Sequence, residues 1–225
     1  MLFQDSVLGE RRCDLRVVDA HIAAIAFLDE GERLSPDDGE EVHLGGRITP
    51  PLAEPHVHLD AALLGARRPN RSGTLHEGIH NWSVLREELT AADVRERALA
   101  TAEMYARTGT LRLRTHVDTG SLLAVRALLD LVPELAARGI ELQVVAFPQE
   151  GILRAAGRRE QWEEAVAMGC HAVGGIPHFE RTTEEGWASV RLVFELAERH
   201  DALVDLHCDE TDDPVARNLE VVCAE

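Results

Sequence analysis

From Pro51 onward, short apolar runs alternate with longer stretches whose apolar positions recur at helical spacing. Residues 53–59, 111–117, 141–147, 172–176 and 203–207 read as strands, rich in Val, Leu, Ile and Phe. Between them, residues 91–107, 121–138, 158–168 and 183–200 read as helices. Thr90 is placed to cap the first of these, with Asp93 in its first turn and Gly109 beyond its end. Pro133 is expected to kink or divide the second, because a proline ring removes one backbone donor and crowds the preceding turn. Strand, helix and strand in this succession predict βαβ units and a parallel sheet. Before Pro51 the texture differs. Residues 15–18 and 21–26 read as strands joined by a hairpin turn at Asp19 and Ala20, and residues 42–44 as a third. The expected organisation is a small β-sandwich-like segment over residues 1–50 and a (β/α) region over residues 51–225.

Composition narrows the function. The chain has 225 residues and a net charge of −17, so nucleic acid is not the expected partner, since phosphate recognition needs a basic face. No run of 18 apolar residues and no signal-peptide pattern is found, so the expectation is a soluble, cytoplasmic protein without a membrane partner. Cys13, Cys170, Cys208 and Cys223 form no Cys-x-x-Cys pair and read as reduced packing residues. All 23 basic residues are arginine. Chemistry that needs a lysine amine, Schiff base or carbamate is therefore excluded.

The candidate chemistry lies at the strand ends. Along a strand, side chains two apart share a face, so His56, His58 and Asp60 project together while Val57 and Leu59 pack. Two imidazoles side by side suit a divalent metal. The later strands end in Thr115-His116-Val117-Asp118, Pro148-Gln149-Glu150, Pro177-His178 and His207-Cys208-Asp209-Glu210. No Gly-x-Gly-x-x-Gly follows any strand, which leaves a dinucleotide site unsupported. Polar endings at one structural position are what a (β/α)8 barrel gathers into a single site at its C-terminal rim.

Four segments make the comparison specific: Glu54-Pro55-His56-Val57-His58-Leu59-Asp60, Arg114-Thr115-His116-Val117-Asp118, Val145-Ala146-Phe147-Pro148-Gln149-Glu150-Gly151 and Asp205-Leu206-His207-Cys208-Asp209-Glu210. With the stretches 71–79 and 175–180, they resemble bacterial cytosine deaminase, a mononuclear metal-dependent family of the amidohydrolase superfamily. The resemblance implies an α/β fold, a TIM-type (β/α)8 barrel of the metal-dependent hydrolase kind with a small N-terminal β appendage. It implies one divalent ion, iron or zinc, held by His56, His58 and His207, with Gln149 reading the amide edge of a pyrimidine and Glu210 as acid/base. It further implies a small pyrimidine-like substrate, hydrolytic deamination of cytosine to uracil and ammonia, and self-association of a completed chain. Binuclear relatives hold two metals through a modified lysine, and none exists here, so a mononuclear site is expected.

Other readings remain at this point. Without the motif around it, Gln149 reads as a hydrogen-bonded loop amide, and His116 and His178 read as supporting rather than ligating residues. Asp60 and Asp118 read as hydrogen-bonding supports. Glu210, three residues past His207, has the wrong parity for one strand face, so the backbone is expected to turn after Cys208. Asp213 is placed to cap a helix started by Pro214. About five βα units fit before Glu225, so the barrel is expected to be incomplete, an N-terminal portion. A related amidohydrolase acting on isocytosine, creatinine or a triazine derivative is the alternative, as is an inactive truncated fragment or binding subunit.

Overall fold

The computed structural model describes residues 1–225, which divide into two compact units, Met1–Pro51 and Leu52–Glu225. The first unit is one five-stranded sheet built from β1 (Leu2–Leu8), β2 (Arg11–Val18), β3 (His21–Phe27), β4 (Val42–Leu44) and β5 (Arg47–Ile48). Its order is β3-β2-β1-β4, with β5 also beside β1. The hairpin partners are antiparallel, whereas β4 and β5 run parallel to β1. β1 escapes sequence patterning because its alternation breaks at Gln4-Asp5-Ser6, where Asp5 adopts φ 54° and the register shifts. Buried Asp14 holds this irregularity by accepting the N–H groups of Asp5 and Leu34, each at 3.0 Å. His43 stacks on Phe3 with ring centroids 5.0 Å apart.

The second unit alternates strands and helices. β6 (Leu52–Val57) is followed by α1 (Leu75–Arg86) and α2 (Ala91–Arg107); then come β7 (Thr110–Asp118), α3 (Leu122–Ala137), β8 (Glu141–Phe147) and α4 (Arg158–Ala167). β9 (Ala172–Gly175), α5 (Thr183–His200), β10 (Leu203–Leu206) and α6 (Asn218–Val222) complete it. The strands pair in parallel and in chain order, β10-β9-β8-β7-β6, the sequential arrangement of a (β/α) barrel. No helix is long and apolar enough to cross a membrane.

Local chemistry explains the elements. Thr90, Ser121 and Thr182 cap α2, α3 and α5 by accepting the N–H of the residue three positions on. Pro133 lies inside α3, which runs undivided over Leu122–Ala137, so the division that the sequence allowed does not occur. The proline lies on the exposed side of the helix, while Leu128, Leu131 and Leu135 are buried on the opposite face. The helix expected to start at Pro214 begins later, at Asn218. Asp213 instead closes a tight turn, its side chain accepting the N–H of Val215 at 3.0 Å.

The core lies between the sheet and its helices. Val94 and Ala98 of α2, Val125 and Leu128 of α3, Val144 of β8, Trp162 of α4 and Val193 of α5 are fully buried in one cluster. Such a core is sensitive to lost volume. Leu128→Ala is expected to lower unfolding stability by about 2–5 kcal/mol, read as a shifted denaturant midpoint with an unchanged slope. An unchanged midpoint would mean that α3 does not seal this core.

Candidate active site

The site is assembled at the C-terminal ends of β6, β8 and β10. Pairing of β6 with β7 is irregular around Pro55, and the chain beyond Val57 is held by β7 side chains and backbone instead. Buried Thr115 accepts the Leu59 N–H at 3.0 Å, and buried Asp60 accepts the Asp118 N–H at 3.0 Å. These two bonds fix the segment from which His56 and His58 project. His207 is fixed from the other side, its N–H donating to Gly175 O at 2.9 Å. Gly175 leaves no room for a side chain, since a Cβ there would meet Leu206 Cδ2 at 2.5 Å.

Three imidazoles meet as a result. His56 Nε2 lies 3.3 Å from His58 Nε2 and 3.1 Å from His207 Nε2. One ligand atom from each of the three falls within 4.8 Å of the others. Nitrogens bonded to a common ion at ~2.0–2.1 Å are at most about 4.2 Å apart, so two pairs already have suitable spacing and the third needs at most a small ring movement. Burial above all, then repulsion from His116, lowers the pKa of His58 to about 4 and that of His207 to about 3. His56 is lowered by the same two causes in the same order. All three therefore offer neutral lone pairs at neutral pH, which is what a divalent transition metal needs.

A cleft of about 260 Å³ opens over these rings and is lined also by Asp60, Trp82, Asp118, Gln149 and Glu210. Gln149 sits in a turn directly after β8, closed by the Gly151 N–H donating to Pro148 O at 2.8 Å. Glu210 reaches the cleft because Asp209 adopts φ 58°, a left-handed turn that reverses the strand parity after Cys208. Asp209 is held there by accepting N–H bonds from Asn218 and Leu219 at 3.1 and 3.0 Å, at the start of α6. All five residues singled out from the sequence thus line one cleft.

The remaining strand-end groups have other partners. His116, 1% exposed, stands 2.9 Å from Asp205 through Nε2, with its ring 4.5 Å from that of His56. Burial alone would raise the Asp205 pKa, but bonds from His116 and Arg114 outweigh it and the net shift is downward. His178 lines a separate pocket with Glu180 and Asn218. Asp118 accepts from Trp82 Nε1 at 2.9 Å and from Arg86 at 2.6 Å. Burial pushes Asp60 up to about 7.

Helix α1 supplies a wall that sequence patterning does not reveal. Leu75, Gly78, Ile79 and Trp82 line the cleft, although the apolar periodicity of residues 75–86 is weak. A signal was present in Thr74-Leu75-His76-Glu77. Thr74 caps the helix by accepting the Glu77 N–H, and Glu77 reaches back to the Ser72 N–H.

The architecture and the histidine cluster define a metal-dependent hydrolase fold, and comparison with known proteins agrees. The structure of 5-methylcytosine deaminase from Klebsiella pneumoniae, liganded with 5-fluorocytosine, superposes with a TM-score of 0.88 and 42% sequence identity. The match covers 100% of this chain and 55% of that one. N-isopropylammelide isopropylaminohydrolase from Burkholderia multivorans gives a TM-score of 0.74 at 26% identity, over 99% of this chain and 56% of its own. Among curated proteins, N-isopropylammelide isopropyl amidohydrolase of Pseudomonas sp. (strain ADP) is 29% identical over 218 residues, covering 92% of this chain and 52% of its own length. No family model matches the chain. The chain is thus similar to deaminases and amidohydrolases of the amidohydrolase superfamily, and it spans about half the length of the curated relatives it matches.

Proposed function

We propose that this chain takes part in hydrolytic deamination of cytosine or a closely related amino-substituted heterocycle, around one divalent ion, iron or zinc. The observation that carries this reading is the convergence of His56, His58 and His207 in a cleft shared with Gln149 and Glu210. The donor set fits the ion, being three neutral imidazoles with nitrogens close enough to share it. An ion bound there lowers the pKa of water towards ~7 and so makes a nucleophile available at neutral pH.

The chain's own groups then have separate tasks. Gln149 carries both a donor and an acceptor, the complement of a pyrimidine amide edge. Glu210 takes a proton from the attacking water and delivers it to N3 of the ring as oxygen adds to C4. It passes the second water proton to the departing amine, so that the C4–N bond breaks, ammonia leaves and uracil remains. Trp82 and Ile79 of α1 cover the planar face and restrict water. On this reading the β segment of residues 1–50 is a separate domain that contributes no chemistry.

Ammonia release by metal-loaded protein from cytosine, isocytosine and creatinine tests the proposal. Turnover is expected for cytosine, and release only from the other two would overturn the assignment. A ring-substituted aminotriazine is the second substrate class to assay, favoured by the likeness to the N-isopropylammelide enzymes. Gln149→Ala is expected to raise KM by about 10-fold or more with a smaller change in kcat, because it removes recognition rather than proton transfer. An unchanged KM would place recognition elsewhere.

A further inference from the structure

The turn that carries Gln149 does not stand alone. It comprises Pro148, Gln149, Glu150 and Gly151, and its last residue rests on a carboxylate from the neighbouring strand end. Glu180 follows the short 3-10 turn Pro177–Phe179 after β9 and is only 9% exposed. Its Oε1 accepts the Ile152 N–H at 2.6 Å, and its two oxygens accept the Leu153 N–H at 3.2 and 3.1 Å. Gly151, at φ 80°, completes the fit, because a Cβ there would lie 2.9 Å from Glu180 Oε2. The backbone of three consecutive residues therefore wraps one buried carboxylate.

Two other links join these loops. Arg154 donates to Phe179 O at 2.7 Å, and Arg181 donates to Leu153 O at 3.2 Å. Both arginines are exposed, so water competes for their bonds. The Glu180 bonds are charge-assisted and shielded, which makes them the stronger constraint. Glu180 does not line the cleft that contains Gln149 and the three histidines.

We propose that Glu180 is a positioning residue that sets the direction of the Gln149 amide by seating the end of its turn. The proposal rests on the reading that Gln149 contacts the substrate. Removing the charge while keeping the shape should free the turn and blur recognition, leaving the histidine cluster intact.

Two measurements on the full chain, loaded with zinc, test this in Glu180→Gln. Amide hydrogen exchange at Ile152 and Leu153 is expected to speed up about 10-fold or more. Affinity for 5-fluorocytosine, read by calorimetry, is expected to fall by about 3- to 30-fold at unchanged zinc content. That loss should largely vanish when Glu180→Gln is made in a Gln149→Ala background, which a merely structural role would not produce. Gly151→Ala disturbs the same contact from the loop side and should reproduce both effects if Glu180→Gln folds poorly. Exchange at the parent rate, or fully additive affinity losses in the double variant, would overturn the proposal. Failure of the parent to bind 5-fluorocytosine would count against the deaminase reading, while the exchange rates still decide whether Glu180 seats the turn.

Discussion

Replacing Glu210 by glutamine is expected to lower deamination by about 10²- to 10⁴-fold while metal content stays at the parent level. The amide matches the acid in size but cannot carry a proton from water to the ring nitrogen and onward to the leaving amine. Glu210 is exposed at the cleft and is not one of the three converging imidazoles, so its loss should spare the metal. The effect should fall on kcat, and on kcat/KM by the same factor, since the interaction is made in the transition state. Gln149→Ala should show the opposite division, a raised KM with kcat less affected. A Glu210→Gln variant with parental turnover would show that another group moves the proton. His116, already 2.9 Å from Asp205, would then be the first to examine.

The second large effect concerns His207. β6 and β10 are the outermost strands of the parallel sheet, and His56 and His207, 151 positions apart, bring their Nε2 atoms to 3.1 Å. An ion shared by these rings would tie one end of the sheet to the other. Binding to the folded state alone stabilises it by mass action, about 2.7 kcal/mol when free metal is 100-fold above Kd. Zinc at that excess is therefore expected to raise the melting temperature of the parent by several degrees. His207→Ala should abolish that rise, because the remaining pair, His56 and His58, sits on one segment and clips nothing across the sheet. A zinc-induced shift of parental size in His207→Ala would contradict cross-sheet ligation.

Much of this molecule was legible before its structure. The bounds of α2, α5 and β8 follow from periodicity, with Thr90 and Thr182 capping the two helices where Ser/Thr/Asp preference puts a cap. The pairing of His56 with His58 follows from strand geometry, and Asp60 proves to share their cleft. What was hidden depends on contacts distant in sequence or on local backbone exceptions. Helix α1 lacks a strong apolar stripe and is held down by Trp82 and Arg86 bonding to Asp118, more than 30 positions away. β1 is masked by the break at Asp5. The approach of Glu210 needs the left-handed turn at Asp209, which period counting cannot foresee. That His207 shares a rim with His56 follows from the convergence of barrel strand ends, whereas its place in one ligand set with His56 and His58 came from family resemblance.

His56, His58 and His207 are expected to hold one divalent ion per chain. Elemental analysis of protein stripped with a chelator, reloaded with zinc and freed of excess metal measures it most directly. About one zinc per parent chain is expected, and close to none in a variant combining His56→Ala and His58→Ala. Two zinc ions per parent chain, or parental zinc content in that variant, would contradict the account.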